Sequence, residues 1–427
     1  MAEAKGDRIA IVGGARSPFA KSWSSLNDVD PVELSTQVAR ELIFRLDLKP
    51  EWIDHFVWGT VVAVPRSPNI AREVAMNLGM YKTPGFSVTR ACATGFQSVT
   101  TAAEMIGSGH ADVVIAGGVD VLSHAPVTYR KNVIDTLQKA QKAKGAALVK
   151  TLAGFNPLHL FPTPPALTER YTGLTMGQHA ELMAQNFDIS REDQDAFAIA
   201  SHEKAAAAVD AGHIAQDIVP IRTAKGMVSE DNLIRRSMNP DKVAKLRPVF
   251  DKKNGTITAA SSSPLTDGAA AVAVMKESKA RELGLTPLAY VRSWDYPAID
   301  PRENMLLGNV HSIPGALDRA GVTLDDIDLV DIHEAFAAQV LSNVRLLDDA
   351  TFMSEEVGRS SVVGEVDPDK LNVWGGSIAF GHPFAATGGR MITMMLNALK
   401  ERDGELALTS ACAAGGLGVA MVLERAS

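Results

Sequence analysis

Cysteine is scarce in this chain of 427 residues. Only Cys92 and Cys412 are present, too few for a disulfide framework or a cysteine-built metal site, so both are expected as free thiols in a reducing compartment. Long apolar runs are also missing. Nothing approaches the roughly 18 to 20 consecutive apolar residues of a membrane span, and the segment from Met1 to Arg8 has no apolar signal core. A soluble protein of the bacterial cytoplasm, or a comparable reducing compartment, is the expectation. Positive charge is in the minority: the formal net charge of −8 argues against nucleic acid as the main partner.

What is present is organised around Val88-Thr89-Arg90-Ala91-Cys92-Ala93-Thr94-Gly95-Phe96, an extended run that turns into a helix. Phe96, Val99, Ala103 and Ile106 follow at helical spacing, which puts Cys92 at a helix N-terminus. There the unpaired N–H groups and the dipole are expected to favour a thiolate. Small neighbours leave room for a substrate carbonyl. The alternative is an inert buried thiol, since cysteine is among the most buried residue types.

Strand and helix patterns alternate on both sides of this turn. Residues 9–12 and 55–59 read as strands, 112–122 as two strand segments around the Gly117-Gly118 pair, and Pro31 to Leu46 and about Asn69 to Leu78 as helices. Alternation of this kind implies a mainly parallel sheet covered on both faces. From about residue 125 to 250 the rhythm breaks into prolines, among them 126, 157, 162, 164 and 165, and amphipathic helices near 176–187 and 191–211. This reads as a large inserted loop domain or lid. Between residues 125 and 165 six basic residues stand against Asp135 alone. Read as one helix, Val133, Leu137, Leu148 and Leu152 share a face, with Lys131, Lys139, Lys142 and Lys150 opposite. Such a helix suits a membrane surface, a partner groove or a phosphate-bearing ligand, and it equally describes a solvated lysine face over ordinary packing.

Residues 255–263 and 267–275 resume strand character, followed by strands at 289–291 and 329–332 and helices at 313–320 and from about Glu334. The last third then repeats the plan of the cysteine unit. A glycine-rich turn, Asn372 to Pro383, feeds a helix bearing Ile392, Met395, Leu396 and Leu399; strand 406–411, a tight loop at 412–418 and strand 419–423 complete it. Two copies of one α/β unit, related by a pseudo-twofold, would bring the Cys92 and His382 turns to one pocket. The expected divisions are 1–124, an inserted 125–250, 251–285 and 286–427.

Cys92, His333, His382 and Cys412 are the reactive positions on these turns and strand ends. His333-Glu334-Ala335-Phe336-Ala337 lacks the second histidine of a zinc helix motif. Together the segments 88–99, 372–388 with its Gly-His-Pro core, and 410–418 around the second cysteine strongly resemble the thiolase family over nearly the whole chain. His333 and the basic insertion make the match look closest to the β-subunit type of the fatty-acid oxidation trifunctional complex, including its anaerobic bacterial form. Acetoacetyl-forming thiolases usually carry Asn where His333 stands. The resemblance implies the thiolase-like fold: two pseudo-twofold-related α/β halves with mainly parallel mixed sheets sandwiching helices, plus a helical loop domain.

It also implies an activity, the cleavage of 3-ketoacyl-CoA by CoA to acetyl-CoA and a chain-shortened acyl-CoA in fatty acid β-oxidation. Cys92 would be the nucleophile that carries the acyl group, His382 its base, Cys412 the acid-base group for the acetyl carbon, and His333 a holder of the thioester oxygen. Arg235 and Ser263 are implied near CoA and Met176 near the acyl channel, with ordinary surface or packing roles as alternatives. No metal or other cofactor is implied, CoA being a substrate. A homodimer follows from the resemblance, with a possible α subunit supplying hydratase and dehydrogenase activities, or a peripheral membrane contact through 130–165. A condensing synthase or acetyl-CoA acetyltransferase of the same superfamily, and an inactive acyl-CoA-binding scaffold, remain the competing readings.

Overall fold

A computed structural model describes residues 7–153, 155–161 and 168–426; the prolines at 162, 164 and 165 and the first six residues lie outside them. The chain opens with β1 (Ile9–Arg16), β2 (Ala20–Lys21), α1 (Pro31–Arg45), β3 (His55–Gly59), α2 (Ile70–Asn77), β4 (Gly85–Val88), α3 (Thr94–Gly107) and β5 (Val113–Val121). Next come α4 (Lys131–Lys142), α5 (Ala146–Ala153), α6 (Met176–Asn186), α7 (Arg191–Asp210), the hairpin β6 (Ile221–Thr223) and β7 (Gly226–Val228), and α8 (Pro240–Ala244). The remainder is β8 (Thr266–Lys276), α9 (Glu277–Glu282), β9 (Ala289–Asp295), α10 (Gly308–Ala320), β10 (Leu329–Ile332), α11 (Ala337–Leu347), α12 (Ala350–Glu355), α13 (Ser377–Phe380), α14 (Thr387–Glu401), β11 (Leu406–Ala413) and β12 (Leu417–Arg425).

One ten-stranded sheet runs β10-β11-β12-β9-β1-β8-β5-β3-β4, with β2 added on β8. Its two halves meet only where Ala10 pairs with Tyr290 and Ile11 with Ala289. Outward from that seam each half has two antiparallel pairings and then a parallel one: β1-β8-β5-β3 on one side and β9-β12-β11-β10 on the other. The internal repeat is therefore real, and α3 and α14 are its equivalent helices, although β5 runs unbroken through Gly117-Gly118 where two strand segments were expected. The expected mainly parallel character is not what forms. Among the strand pairs of the described residues only β3–β4, β3–β5 and β10–β11 run parallel. The residue 414–416 turn joins β11 to β12 as a hairpin, which forces antiparallel pairing, and the long insertion leaves β8 free to return in either direction.

Alternation along β8 builds the layers, because successive side chains point to opposite faces. Ala270, Val272 and Val274 face the core shared with α3 and α14, where Phe96, Val99, Ile392 and Met395 are buried. Ala269, Ala271, Ala273 and Met275 face the other core with Leu34, Val38 and Leu42 of α1. The first turns of α3 and α14 touch through glycines. A Cβ on Gly95 would lie 2.9 Å from the Gly388 Cα, and one on Gly388 would lie 2.5 Å from the Phe96 nitrogen. Gly388→Ala is accordingly expected to destabilise the fold by about 1–3 kcal/mol through overpacking, read as a lowered melting temperature; an unchanged melting temperature would show that the two turns do not need this approach.

Three other expectations change. The basic helix is two helices, α4 and α5, broken near Gly145 with φ +56°, a left-handed conformation that glycine adopts without Cβ strain. Val133 is fully buried, whereas Leu137 and Leu152 are about half exposed. Residues 255–263 form no strand, because Thr258 and Ser261 hydroxyls take the backbone N–H groups of Ala260 and Thr258, competing with a ladder. Cys412 lies within β11, opposite Gly418, instead of in a loop.

Candidate active site

Each reactive side chain is fixed by the backbone that carries it. Before Cys92, Ala91 holds φ +45°, and Thr94 Oγ1 staples the turn by accepting from the Arg90 N–H and donating to the Ala91 carbonyl, both at 2.7 Å. His382 follows Gly381 at φ +93°. Its backbone N–H donates to Thr266 Oγ1 at 3.0 Å, and its Nδ1 lies 2.7 Å from Thr387 Oγ1 at the start of α14. His333 extends β10 by donating its N–H to the Ser410 carbonyl at 2.8 Å. Cys412 lies two residues beyond Ser410 on the neighbouring strand β11.

These segments converge. The ligating atoms of Cys92, His333 and His382 all lie within 4.8 Å of one another, and the two imidazole centroids are 4.2 Å apart. Among the described residues neither Nε2 has a hydrogen-bond partner, although both side chains are buried. Cys412 stands outside this set, yet its thiol is held well above its ordinary value by burial and by Cys92. The backbone N–H of Ala414, on the turn after Cys412, reaches the Cys92 sulfur, as does the Cys92 N–H.

The protonation states correct the expected thiolate. Burial pushes the Cys92 thiol up to about 11, against the pull of the Ala414 and Cys92 N–H groups. The helix N-terminus does not win, because the Ala93 and Thr94 N–H groups are already spent on the Arg90 and Ala91 carbonyls. His382 does not titrate near neutrality either. Burial, helped by the charge of Arg390, lowers it to about 3; burial, His382 and Arg390 carry His333 well below its ordinary value. The resting pair is a neutral thiol facing neutral imidazoles.

Sequence reasoning missed the groups that hold this arrangement. Glu334 is buried and accepts from Asn372 Nδ2 at 2.8 Å, Ser201 Oγ at 2.7 Å and the Ile378 N–H at 3.1 Å. It thereby ties the His333 turn to the glycine-rich turn and α7. Asp120, carried to about 7 by burial, accepts from Val62 N at 2.7 Å and Ala385 N at 2.8 Å, joining β5 to the His382 loop. Arg390 is fully buried and donates to Ser377 Oγ, which lies 2.9 Å from His333 Nδ1. A buried carboxylate or guanidinium needs partners, but the partners come from distant segments and leave no local signal.

The remaining expected positions differ in character. Half-buried Ser263 donates its N–H to the Ala335 carbonyl at 3.0 Å, and Leu265 bridges to His382. Arg235 is exposed, its N–H on His202 Nδ1. Its loop reaches the site through Leu233, which packs at Gly381. Met176, the first residue of α6, packs against a core that contains Phe336 and Ile257.

A thiol within reach of an unprotonated imidazole, with backbone N–H groups at the sulfur, is the equipment of covalent acyl transfer. The comparisons agree. Residues 9–278 match the thiolase N-terminal domain and residues 285–425 the thiolase C-terminal domain, so the chain belongs to the thiolase family. A curated 3-ketoacyl-CoA thiolase of Yersinia enterocolitica is 50% identical over 426 residues, covering 98% of this chain and 97% of its own. That of Yersinia pestis is 51% identical over 429 residues with the same coverage. Human mitochondrial 3-ketoacyl-CoA thiolase superposes with a TM-score of 0.85 at 30% identity over 99% of both chains. The Bacillus anthracis acetyl-CoA acetyltransferase gives 0.83 at 30%, over 98% of this chain and 99% of its own.

Proposed function

We propose that this chain is a 3-ketoacyl-CoA thiolase of fatty acid β-oxidation that works through a Cys92 acyl-enzyme. The observation that carries the reading is the cluster of one thiol and two neutral imidazoles whose ligating atoms lie within 4.8 Å of one another, each imidazole having an Nε2 without a hydrogen-bond partner among the described residues. Fold similarity at 30% identity is shared with an acetyl-CoA acetyltransferase, whereas the full-length relatives at 50–51% are named 3-ketoacyl-CoA thiolases.

In the first half-reaction His382 Nε2 accepts the Cys92 proton as Sγ attacks the C3 ketone. The Cys92 and Ala414 N–H groups face the sulfur and so lie where the tetrahedral oxyanion forms; each such donor is typically worth about 3 to 4 kcal/mol. The C2–C3 bond breaks, leaving the acyl group on sulfur and an acetyl-CoA enolate. His333 and His382 hold the enolate oxygen, and Cys412 gives its proton to the carbon. In the second half, the Cys412 thiolate takes the proton of incoming CoA, whose sulfur displaces Cys92; His382 then returns the first proton. A neutral imidazole suits each duty, His382 accepting the thiol proton and His333 donating a hydrogen bond; the proton moves within the site, so the charge gained by His382 is matched by the one formed on the substrate.

The remaining assignments rest on the family resemblance and chemical fit. Residues 125–250 serve as the loop domain between two stretches, 1–124 and 251–285, of the N-terminal half, with 286–427 as the C-terminal half. Arg235 and Ser263 serve CoA and Met176 the acyl channel. The protein works as a homodimer in the cytoplasm, with an α subunit supplying hydratase and dehydrogenase steps. The exposed Leu137, Val149 and Leu152 beside the lysines of α4 and α5 support contact with a partner or membrane surface. Among the described residues no helix is long and apolar enough to cross a membrane.

Incubation with a 3-ketoacyl-CoA before free CoA is added is expected to leave the shortened acyl group on Cys92, read by peptide mass spectrometry. An adduct on Cys412, or on neither cysteine, would reject the assignment.

A further inference from the structure

We propose that Cys92 Sγ, His333 Nε2 and His382 Nε2 also form a binding site for a zinc ion, which occupies the catalytic cluster and stops the enzyme reversibly. The inhibition rests on the thiolase reading above; the binding rests on geometry alone.

Three donors of types that zinc accepts, one sulfur and two imidazole nitrogens, lie within 4.8 Å of one another. A tetrahedral zinc, with bonds of about 2.0–2.1 Å to nitrogen and 2.3 Å to sulfur, spaces its ligands about 3.3–3.8 Å apart. Closing on the ion therefore takes side-chain shifts of about 1 Å or less. His333 is 1% exposed and His382 5%, and both Nε2 atoms are unpartnered, so binding breaks no existing hydrogen bond at the donors.

The outer partners are also in place. A metal-bound histidine usually gives its other ring N–H to an oxygen, and Ser377 Oγ and Thr387 Oγ1 lie 2.9 and 2.7 Å from the two Nδ1 atoms. Ser377 already accepts from Arg390; its second lone pair is available for the His333 Nδ1–H, since a hydroxyl has two.

Protonation ordinarily protects histidine sites from metal, but burial and the charge of Arg390 disfavour the charged form of both imidazoles. One proton remains to be displaced. Zinc binding replaces the S–H bond of Cys92 with a Zn–S bond and releases one H⁺. The product carries a single positive charge, opposed by Arg390, whose charge acts on both imidazoles, and favoured by Asp120, whose charge acts on Cys92. Three protein ligands leave a fourth position for water, as in an open zinc site.

The test uses the full-length protein freed of metal by chelation. Zinc titrated against a chromogenic chelator is expected to bind at one ion per chain, to slow iodoacetamide alkylation of Cys92, and to stop thiolysis until EDTA is added. His333→Asn is expected to need about 10- to 100-fold more zinc for half-protection of Cys92, and Ser377→Ala a shift of similar size through the lost outer partner. Magnesium, a hard ion that prefers oxygen ligands, is expected to protect nothing. Alkylation of Cys92 at an unchanged rate under saturating zinc would overturn the proposal. So would equal protection in the wild type and in both variants, each checked for folding by circular dichroism. Alkylation is read without substrate, so failed protection alongside a normal Cys92 acyl adduct removes the metal site and leaves the thiolase reading. Protection without an adduct does the reverse.

Discussion

His382→Ala is expected to lower kcat/KM for thiolysis by about 10²- to 10⁴-fold at pH 7, the range of a lost positioned base, and to make the reaction climb with pH. The upper figure has an independent origin. With its thiol pushed up to about 11, Cys92 is thiolate only to about one part in 10⁴ at pH 7. Without an acceptor in the site, attack must draw on that fraction. The fraction grows tenfold for each pH unit below the thiol's own value, so the variant's log rate is expected to rise with a slope near one from pH 6 to 9.5. Wild-type enzyme should lack this slope. His382 is deprotonated at any pH above about 3, and the base is ready throughout. A pH–rate profile of both proteins decides the matter. A variant whose profile stays as flat as the wild type's would mean that the thiolate is already present at rest and that His382 does not take its proton.

Why the resting protonation states escaped sequence reasoning is clear from Cys92 itself. Its placement before a helix was legible, because Phe96, Val99 and Ile106 recur at helical spacing and are indeed buried on one face. Whether the helix end or burial controls the thiol depends on which N–H groups the turn has already consumed and on how deeply β11 and α14 cover the sulfur. Neither quantity has a local pattern. Position was readable; electrostatics was not.

The same division runs through the fold. The repeat of turn, helix and strand was visible as two similar stretches, and the matched pairings around β1 and β9 bear it out. The starts of the helices near residues 31 and 69 were read from hydrophobic spacing, and local capping chemistry fixes them: Asn69 caps α2 through the Arg72 N–H, and Asp30 caps α1 through Val32. Strand direction was not, since β8 reaches its place only after the whole insertion. Residues 255–263 misled because the β-branched run Thr256-Ile257-Thr258 mimics a strand, while the Thr258 and Ser261 hydroxyls close turns on the backbone instead. Glu334 carried no visible signal beside His333, although its three donors make it the post that fixes that histidine.

Cys412→Ala divides the reaction differently. Acylation of Cys92 from a simple acyl-CoA requires no carbon acid, so this variant is expected to form the adduct. Exchange of the acetyl-CoA methyl protons with solvent deuterium requires a group that removes a proton from carbon. It is expected to fall by about 10²- to 10⁴-fold. The argument for Cys412 in that role is positional. It sits in β11, anchored opposite Gly418, on the strand next to the one that delivers His333, while the turn just beyond it brings the Ala414 N–H to Cys92. The two sulfurs therefore come from the two halves of the pseudo-twofold, which suits the proposed division of labour, Cys92 at the carbonyl carbon and Cys412 at the methyl. The thiol's raised value, set by burial and by Cys92, keeps it protonated at rest, which is the state needed to protonate a departing enolate. Nuclear magnetic resonance of deuterium entering acetyl-CoA reads the exchange directly, and mass spectrometry of Cys92 reads acylation in the same sample. If exchange persists at the wild-type rate while the adduct forms, Cys412 is not the acid-base group; if both are lost while the melting temperature is unchanged, the thiol is needed for attack as well as for proton transfer, and the division of labour between the two cysteines is wrong.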